Sequence, residues 1–196
     1  MTESTLKKPV VSLVISVWNR KEDLRENLAT IRQQTVPADQ VIVVDNDSSD
    51  GTPEMVIEEF PEVQLIRMPH SQYGACETFS VGFSSAKGDF VGILDDDVIL
   101  PVTFVEHMLQ KFAEEPDTTA ILSPKVVEPE MPEWYKTSES INKERYLSTF
   151  RGCGSMARAQ ALREANWYDI RFFIFGNERD LTTRLMNLGY RVKMFP

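Results

Sequence analysis

The chain has 196 residues, 42% of them hydrophobic, which suits one globular domain or one domain with a small appendage. Its formal net charge is −9 and no basic stretch is dense enough to follow a phosphate backbone, which excludes nucleic acid as an expected partner. Two cysteines, Cys76 and Cys153, form no CxxC pair and no disulfide framework. They read as small buried apolar residues in a reducing, cytoplasmic compartment. Two histidines, His70 and His107, are too few for a His-rich zinc site, and His107 falls inside a helical pattern. The opening MTESTLKKPV lacks the apolar core of a signal peptide, and no segment is long enough to cross a bilayer. A soluble protein is expected, with peripheral contact at the inner face of a membrane left open.

In chain order, Val10–Val17 is a run of β-branched and apolar residues, read as a buried strand. Leu24, Leu28 and Ile31 then recur at helical spacing. Gln40–Asp45 is a second strand, followed by a polar turn at Asn46–Gly51 and a short helix from Pro53 to Glu59. Val63–Met68 is a third strand, Gly74–Ala86 a helix, and Phe90–Leu94 a fourth strand. Pro101–Glu114 is a helix with Phe104, Met108 and Phe112 on one face. Strands alternating with helices predict an α/β fold with a mostly parallel, Rossmann-like sheet flanked by helices. In such sheets ligands sit beyond the carboxyl ends of the strands. Here those ends are polar: Ser16–Asn19, Asp45–Asp50 and Asp95–Asp97.

The second half is less regular. Residues 128–150 are polar, with Pro129, Pro132, Trp134 and Tyr135, and read as a functional or mobile loop. Then come a small-residue stretch at Arg151–Ala157, a helix near Ala159–Ala165, an aromatic turn at Trp167–Phe173, a helix from about Glu178, and a strand starting at Tyr190. The chain ends at Pro196 soon after that strand begins, which leads us to expect truncation of a longer domain.

Four motifs carry chemistry. Asp95-Asp96-Asp97 follows a buried strand, where adjacent like charges raise each other's pKa unless a positive charge compensates. A hard divalent cation such as Mg²⁺ or Mn²⁺ is the natural compensator, taking one or two carboxylates plus substrate phosphates. Strand alternation predicts that Asp95 and Asp97 point one way and Asp96 another. The bland alternative is an acidic loop capping the next helix. Asp45-Asn46 with Ser48–Thr52 reads equally as a plain turn or a binding loop, Ser49 or Thr52 being a candidate cap for the next helix. Trp18, in Trp18-Asn19-Arg20, could stack on a base or sugar, although core packing is the better expectation for a lone aromatic. In Gly176–Leu181, Asn177 is a candidate N-cap with Asp180 as a partial capping box. On these residues alone, Glu178 is only a first-turn acid.

Taken together, the segments VSLVISVWNR, QVIVVDNDSSDGT, SAKGDFVGILDDDV and the stretch from RGCGSMA to VKMFP resemble family 2 glycosyltransferases of the GT-A fold, over about Val10 to Pro196. The resemblance implies an inverting, metal-assisted transfer of a sugar from a nucleoside-diphosphate-sugar to a hydroxyl of a glycan, lipid-linked or other acceptor. By the same resemblance Ser16, Trp18, Asp45 and Asn46 hold the nucleotide and Asp96 faces the ribose. Asp97, with Asp95, holds Mg²⁺ or Mn²⁺ on the diphosphate. Glu178, with Asp180 beside it, stands where the family places its catalytic base, and Gly154, Ser155 and Met156 lie along the acceptor side. Ser16, Gln72 and Ser80 depart from the usual residues, and Asn177-Glu178 replaces Glu-Asp.

The expected organisation is an N-terminal tail (1–9) and one GT-A domain (10–196), with a nucleotide-binding half (10–127) and an acceptor-side half (128–196). Two other readings stand. One is a sugar-nucleotidyltransferase, for which the first loop, SVWNRKED, lacks the usual glycines. The other is a non-catalytic nucleotide-binding fragment of the same fold.

Overall fold

In the computed structural model, residues 8–196 are described, so most of the expected N-terminal tail lies outside the described residues. The β-branched runs form the middle of one eight-stranded sheet. The strands are β1 (Val11–Val17), β2 (Gln40–Asp45), β3 (Gln64–Arg67), β4 (Phe90–Asp95), β5 (Thr119–Pro124), β6 (Arg145–Tyr146), β7 (Ser155–Arg158) and β8 (Arg191–Phe195). Their order across the sheet is β3-β2-β1-β4-β7-β5-β8-β6. β3, β2, β1 and β4 are mutually parallel, as are β5 and β8. β7 runs antiparallel between β4 and β5, and β6 antiparallel beside β8.

Alternation along the strands feeds two cores. Leu13, Ile15 and Val43 face one side, where α1 (Lys21–Arg32), α2 (Thr52–Glu59) and α4 (Phe104–Glu114) close over them with Leu24, Leu28, Met55, Val56, Met108 and Phe112. Val14, Ile42, Val44 and Ile93 face the other side. There they meet Phe79 and Phe83 of α3 (Ala75–Ser85), Leu162 of α6 (Ala159–Glu164) and Leu181 and Leu185 of α7 (Asn177–Asn187). A single turn, α5 (Glu133–Lys136), and a 3₁₀ turn at Glu139–Ile141 lie within the polar 128–150 segment, which is therefore partly ordered. Among the described residues, no helix is long and apolar enough to cross a membrane.

Three expectations change. β5, Thr119–Pro124, is a strand that the pattern reading passes over although it is as long as β2 and β4. The small-residue stretch is in part a strand, β7, whose Ser, Met and Ala side chains fit between two buried strands. The cap of α7 is Gly176, at φ 87°, a left-handed conformation that suits glycine, and Asn177 is already inside the helix. Asp180 forms no capping box. Arg184, one turn on, donates to its carboxylate from Nε (2.9 Å) and Nη2 (2.6 Å) and also holds the carbonyls of Ala165 and Trp167.

Candidate active site

Parallel strands direct their carboxyl ends to one rim, and that rim gathers the polar segments. Ser16 on β1 pairs in register with Val44 of β2 and Asp95 of β4, so the first, second and acidic segments leave the sheet side by side. The loops are cross-tied. Asn19 N–H donates to Ser48 Oγ (2.8 Å), and Ser49 N–H donates to Asn19 Oδ1 (2.8 Å). Asp50 accepts the N–H of Lys21 and that of Thr52, each at 3.0 Å. One carboxylate thus serves the first turns of two helices, a capping role expected of Ser49 or Thr52. Ser16 Oγ is shared with Thr78 Oγ1 (2.7 Å).

The acidic triplet departs from the alternation rule because β4 ends at Asp95 and the next two residues form a turn. Asp96 and Asp97 therefore reach the same cation: Arg20 Nε lies 3.4 Å from Asp96 Oδ1, and Arg20 Nη2 lies 3.2 Å from Asp97 Oδ2. Arg20 also pairs with Asp23 at 2.9 Å. A single guanidinium is shared by three carboxylates, and among the described residues none pairs with Asp95. Partial desolvation by the atoms packed around this exposed strand end, with Asp97 and Glu178 adding repulsion, pushes the Asp95 carboxyl up to about 6. Burial pushes Asp96 up to about 7 against the opposing pull of Arg20.

The loop is positioned from behind by α1. Asn27 is fully buried, and its Nδ2 donates to the carbonyls of Val98 (2.6 Å) and Asp95 (3.5 Å). Thr30 Oγ1 accepts Leu100 N–H (3.3 Å), and Gln34 reaches Pro101 O (2.8 Å) and Val105 N (3.0 Å). Asn27 and Thr30 share one face of α1, and Gln34 follows just beyond its C-terminus. This polar stripe beside Leu24, Leu28 and Ile31 is a signal in the sequence that the apolar reading of the helix missed.

Glu178 arrives from the other half of the chain, in the first turn of α7. It is half-buried and close enough to Asp95 to repel it. With its amide oriented to suit both neighbours, Asn177 Nδ2 donates to Glu178 Oε2 (2.9 Å) and to Ile174 O (2.5 Å). Burial raises the Glu178 pKa, while a backbone N–H and Asn177 oppose the rise. A Cβ on Gly152 would stand 3.0 Å from Glu178 Oε1, so the glycine leaves room for the carboxylate. The segment leading to Glu178 exposes Ile170, Phe173, Ile174 and Phe175, the last 86% exposed.

The other expected residues divide. Trp18 is 56% exposed at the end of β1, so it is not a core residue as first expected; the strand delivers it to the rim. Asp45 and Asn46 are buried. Asp45 accepts Ser48 N–H (3.2 Å), its Oδ1 has no partner, and burial raises its pKa. Asn46 Nδ2 donates to Tyr73 O (2.9 Å) and its Oδ1 is likewise unpartnered. Gly154, Ser155 and Met156 are buried because β7 is inserted between β4 and β5. Of the same segment, Arg151 is exposed and Gly152 and Cys153 are partly exposed.

Among the described residues, no group of three or more His, Cys, Asp or Glu side chains is arranged to hold a metal ion. Asp95 and Asp97 are hard oxygen donors, and Asp95 has no cation of its own. Two such carboxylates fit Mg²⁺ or Mn²⁺ when phosphates and water complete the shell.

The family profile described as Glycosyl transferase family 2 matches residues 12–179. The chain belongs to glycosyltransferase family 2. An uncharacterized glycosyltransferase of Haemophilus influenzae is 33% identical to this family 2 chain over 118 residues, covering 59% of this chain and 38% of that protein. Glycosyltransferase GlyG of Streptococcus pneumoniae is 28% identical over 107 residues, covering 54% and 36%. The matched segments thus span little more than a third of those relatives' length. The solved mannosyltransferase PcManGT of Pyrobaculum calidifontis, in complex with GDP-Man and Mn²⁺, superposes with a TM-score of 0.76 at 23% identity, over 97% of this chain and 55% of that one. S. aureus TarS 1–349, in complex with UDP, superposes with a TM-score of 0.76 at 16% identity, over 95% and 57%. The fold of the family 2 chain is accordingly GT-A, and family membership favours glycosyl over nucleotidyl transfer.

Proposed function

We propose that this chain carries the catalytic site of an inverting glycosyltransferase that moves a sugar from a nucleoside-diphosphate-sugar to a hydroxyl. One observation supports the reading: Glu178, from the second half of the chain and set against Gly152, lies within electrostatic reach of Asp95 at the acidic rim. Inverting glycosyl transfer uses an unprotonated general base on one side of the anomeric carbon and charge neutralisation of the departing diphosphate on the other. The exposed indole of Trp18 supplies a face for the base or sugar. Asp95 and Asp97 would hold Mg²⁺ or Mn²⁺, which when bound neutralises the leaving diphosphate as a Lewis acid. Arg20, paired with Asp96 and Asp97, would supply a further positive charge to the phosphates. Glu178 accepts the acceptor's hydroxyl proton as its oxygen attacks, and a single displacement gives inversion. The solved relatives with GDP-Man and Mn²⁺ and with UDP support a nucleotide donor and a divalent ion.

Calorimetric titration of UDP and GDP, with and without Mn²⁺, tests the assignment. Binding is expected to require or be strengthened by the metal, and Asp97→Ala is expected to abolish that dependence. Metal-dependent binding that survives the substitution unchanged removes Asp97 from the site. A cytoplasmic protein that touches a membrane peripherally would do so through Ile170, Phe173, Ile174 and Phe175, which sedimentation with liposomes checks.

A further inference from the structure

The rim continues past the acidic crevice, and its electrostatic sign reverses. At the carboxyl ends of β5 and β8, covered by β6 and the 125–151 segment, lies a cavity of about 240 Å³. Its lining holds three basic side chains, Lys125, Arg145 and Arg151, and no acidic one. That is unusual in a chain where 30 acidic residues outnumber 21 basic ones. Tyr135, Ile141 and Phe150 supply an apolar floor.

The three cations retain capacity for a ligand. The guanidinium of Arg145 has no hydrogen bond or ion pair among the described residues, the backbone alone being held in the β6–β8 ladder. Lys125 Nζ donates to Lys136 O (3.0 Å) and Asn142 Oδ1 (2.6 Å), leaving one of its three protons free. Arg151 is held by Glu128 (2.7 Å), an exposed pair of the weak kind that a better anion displaces.

The cavity also adjoins the proposed site of transfer. Arg151 precedes Gly152, the residue against Glu178, and Ser155 Oγ donates to Arg151 O (2.6 Å). The thiol of Cys153 lies within electrostatic reach of both Asp95 and Arg151. β4 and β5 are two strand steps apart, so the ends carrying Asp95 and Ser123 are separated by roughly 10 Å. The volume falls below the roughly 300–1,000 Å³ that encloses a whole small ligand. It therefore suits one group of a larger molecule.

We propose that this cavity binds an oxyanion, phosphate or carboxylate, carried by the acceptor a residue or two away from the hydroxyl that Glu178 deprotonates. The acceptor class is thus an anionic glycan or polyol phosphate, seated by Arg145 and Arg151 with its carbon skeleton on Tyr135, Ile141 and Phe150. This rests on the reading of the Glu178 crevice as the site of transfer.

The test is amide chemical-shift titration of the ¹⁵N-labelled chain with methyl glucoside, methyl glucoside 6-phosphate and methyl glucuronide. UDP with Mn²⁺ is titrated separately. The two anionic probes are expected to shift the amides of residues 145–151 while the neutral parent does not. The stronger of the two identifies phosphate or carboxylate as the group recognised. Arg145→Ala, on an exposed two-residue strand, is expected to weaken the preferred anion about tenfold, and Arg163→Ala, outside the cavity, to leave it unchanged. Equal shifts from charged and neutral probes, or an anion response that Arg145→Ala does not alter, overturns the proposal. UDP binding without an anion response defeats this inference alone, whereas an anion response without UDP binding defeats the donor-site reading and leaves an oxyanion site.

Discussion

Glu178 shows how position alters the chemistry of one residue. In the sequence it is a first-turn acid of the kind that helix dipoles favour. In the structure it is half-buried beside Gly152, accepts from Asn177, and faces the acidic rim. Glu178→Gln is expected to lower turnover by about 10²–10⁴-fold while leaving UDP affinity nearly unchanged, read by steady-state kinetics beside calorimetry. The base works ionised, and burial holds its pKa above the ordinary glutamate value. Turnover should therefore rise with pH along an acidic limb displaced upward from that of an exposed glutamate, and a pH–kcat profile with no such limb argues against Glu178. Asp180 one turn on is a different case, since its carboxylate is already committed to Arg184.

At the level of elements, α1 does more than cover the sheet. Its apolar face was legible from Leu24, Leu28 and Ile31, but its polar residues Asn27 and Thr30, with Gln34 just past its end, hold the 95–105 segment in place. Removing the Asn27 amide leaves the carbonyl of Val98 without its 2.6 Å donor. Asn27→Ala should cost about 1–3 kcal/mol in urea denaturation. It should also weaken metal-dependent nucleotide binding, because the loop carrying Asp95–Asp97 loses its anchor. Unaltered nucleotide affinity in a destabilised variant would confine Asn27 to a structural role. β7 is the element the sequence concealed. Four residues with small or flexible side chains carry too little periodicity to announce a strand, and only its neighbours β4 and β5 supply the pairing.

Across the whole molecule, the expected halves share one sheet. β7, from beyond residue 128, lies between β4 and β5, and β8 completes the edge next to β5. Neither half can open without breaking strand pairing in the other. Unfolding by urea should accordingly give one transition, coincident in far-ultraviolet circular dichroism and in tryptophan fluorescence, to which Trp167, packed against Phe83, contributes beside Trp18 and Trp134. Two resolved transitions would show that the halves fold separately.

The local pattern was enough to determine the first four strands, the helices between them and the polar segments at their ends, because period and β-branching are properties of neighbouring residues. The family resemblance marked Asp95–Asp97 and Glu178 as a pair of sites. Only the tertiary structure decided which groups meet and which are buried: Arg20 with Asp96 and Asp97, Trp18 exposed at the rim, Asp45 and Asn46 buried, and Met156 inside the sheet. Those outcomes depend on where β4 stops and where β7 inserts, and both are settled by contacts between segments far apart in the chain.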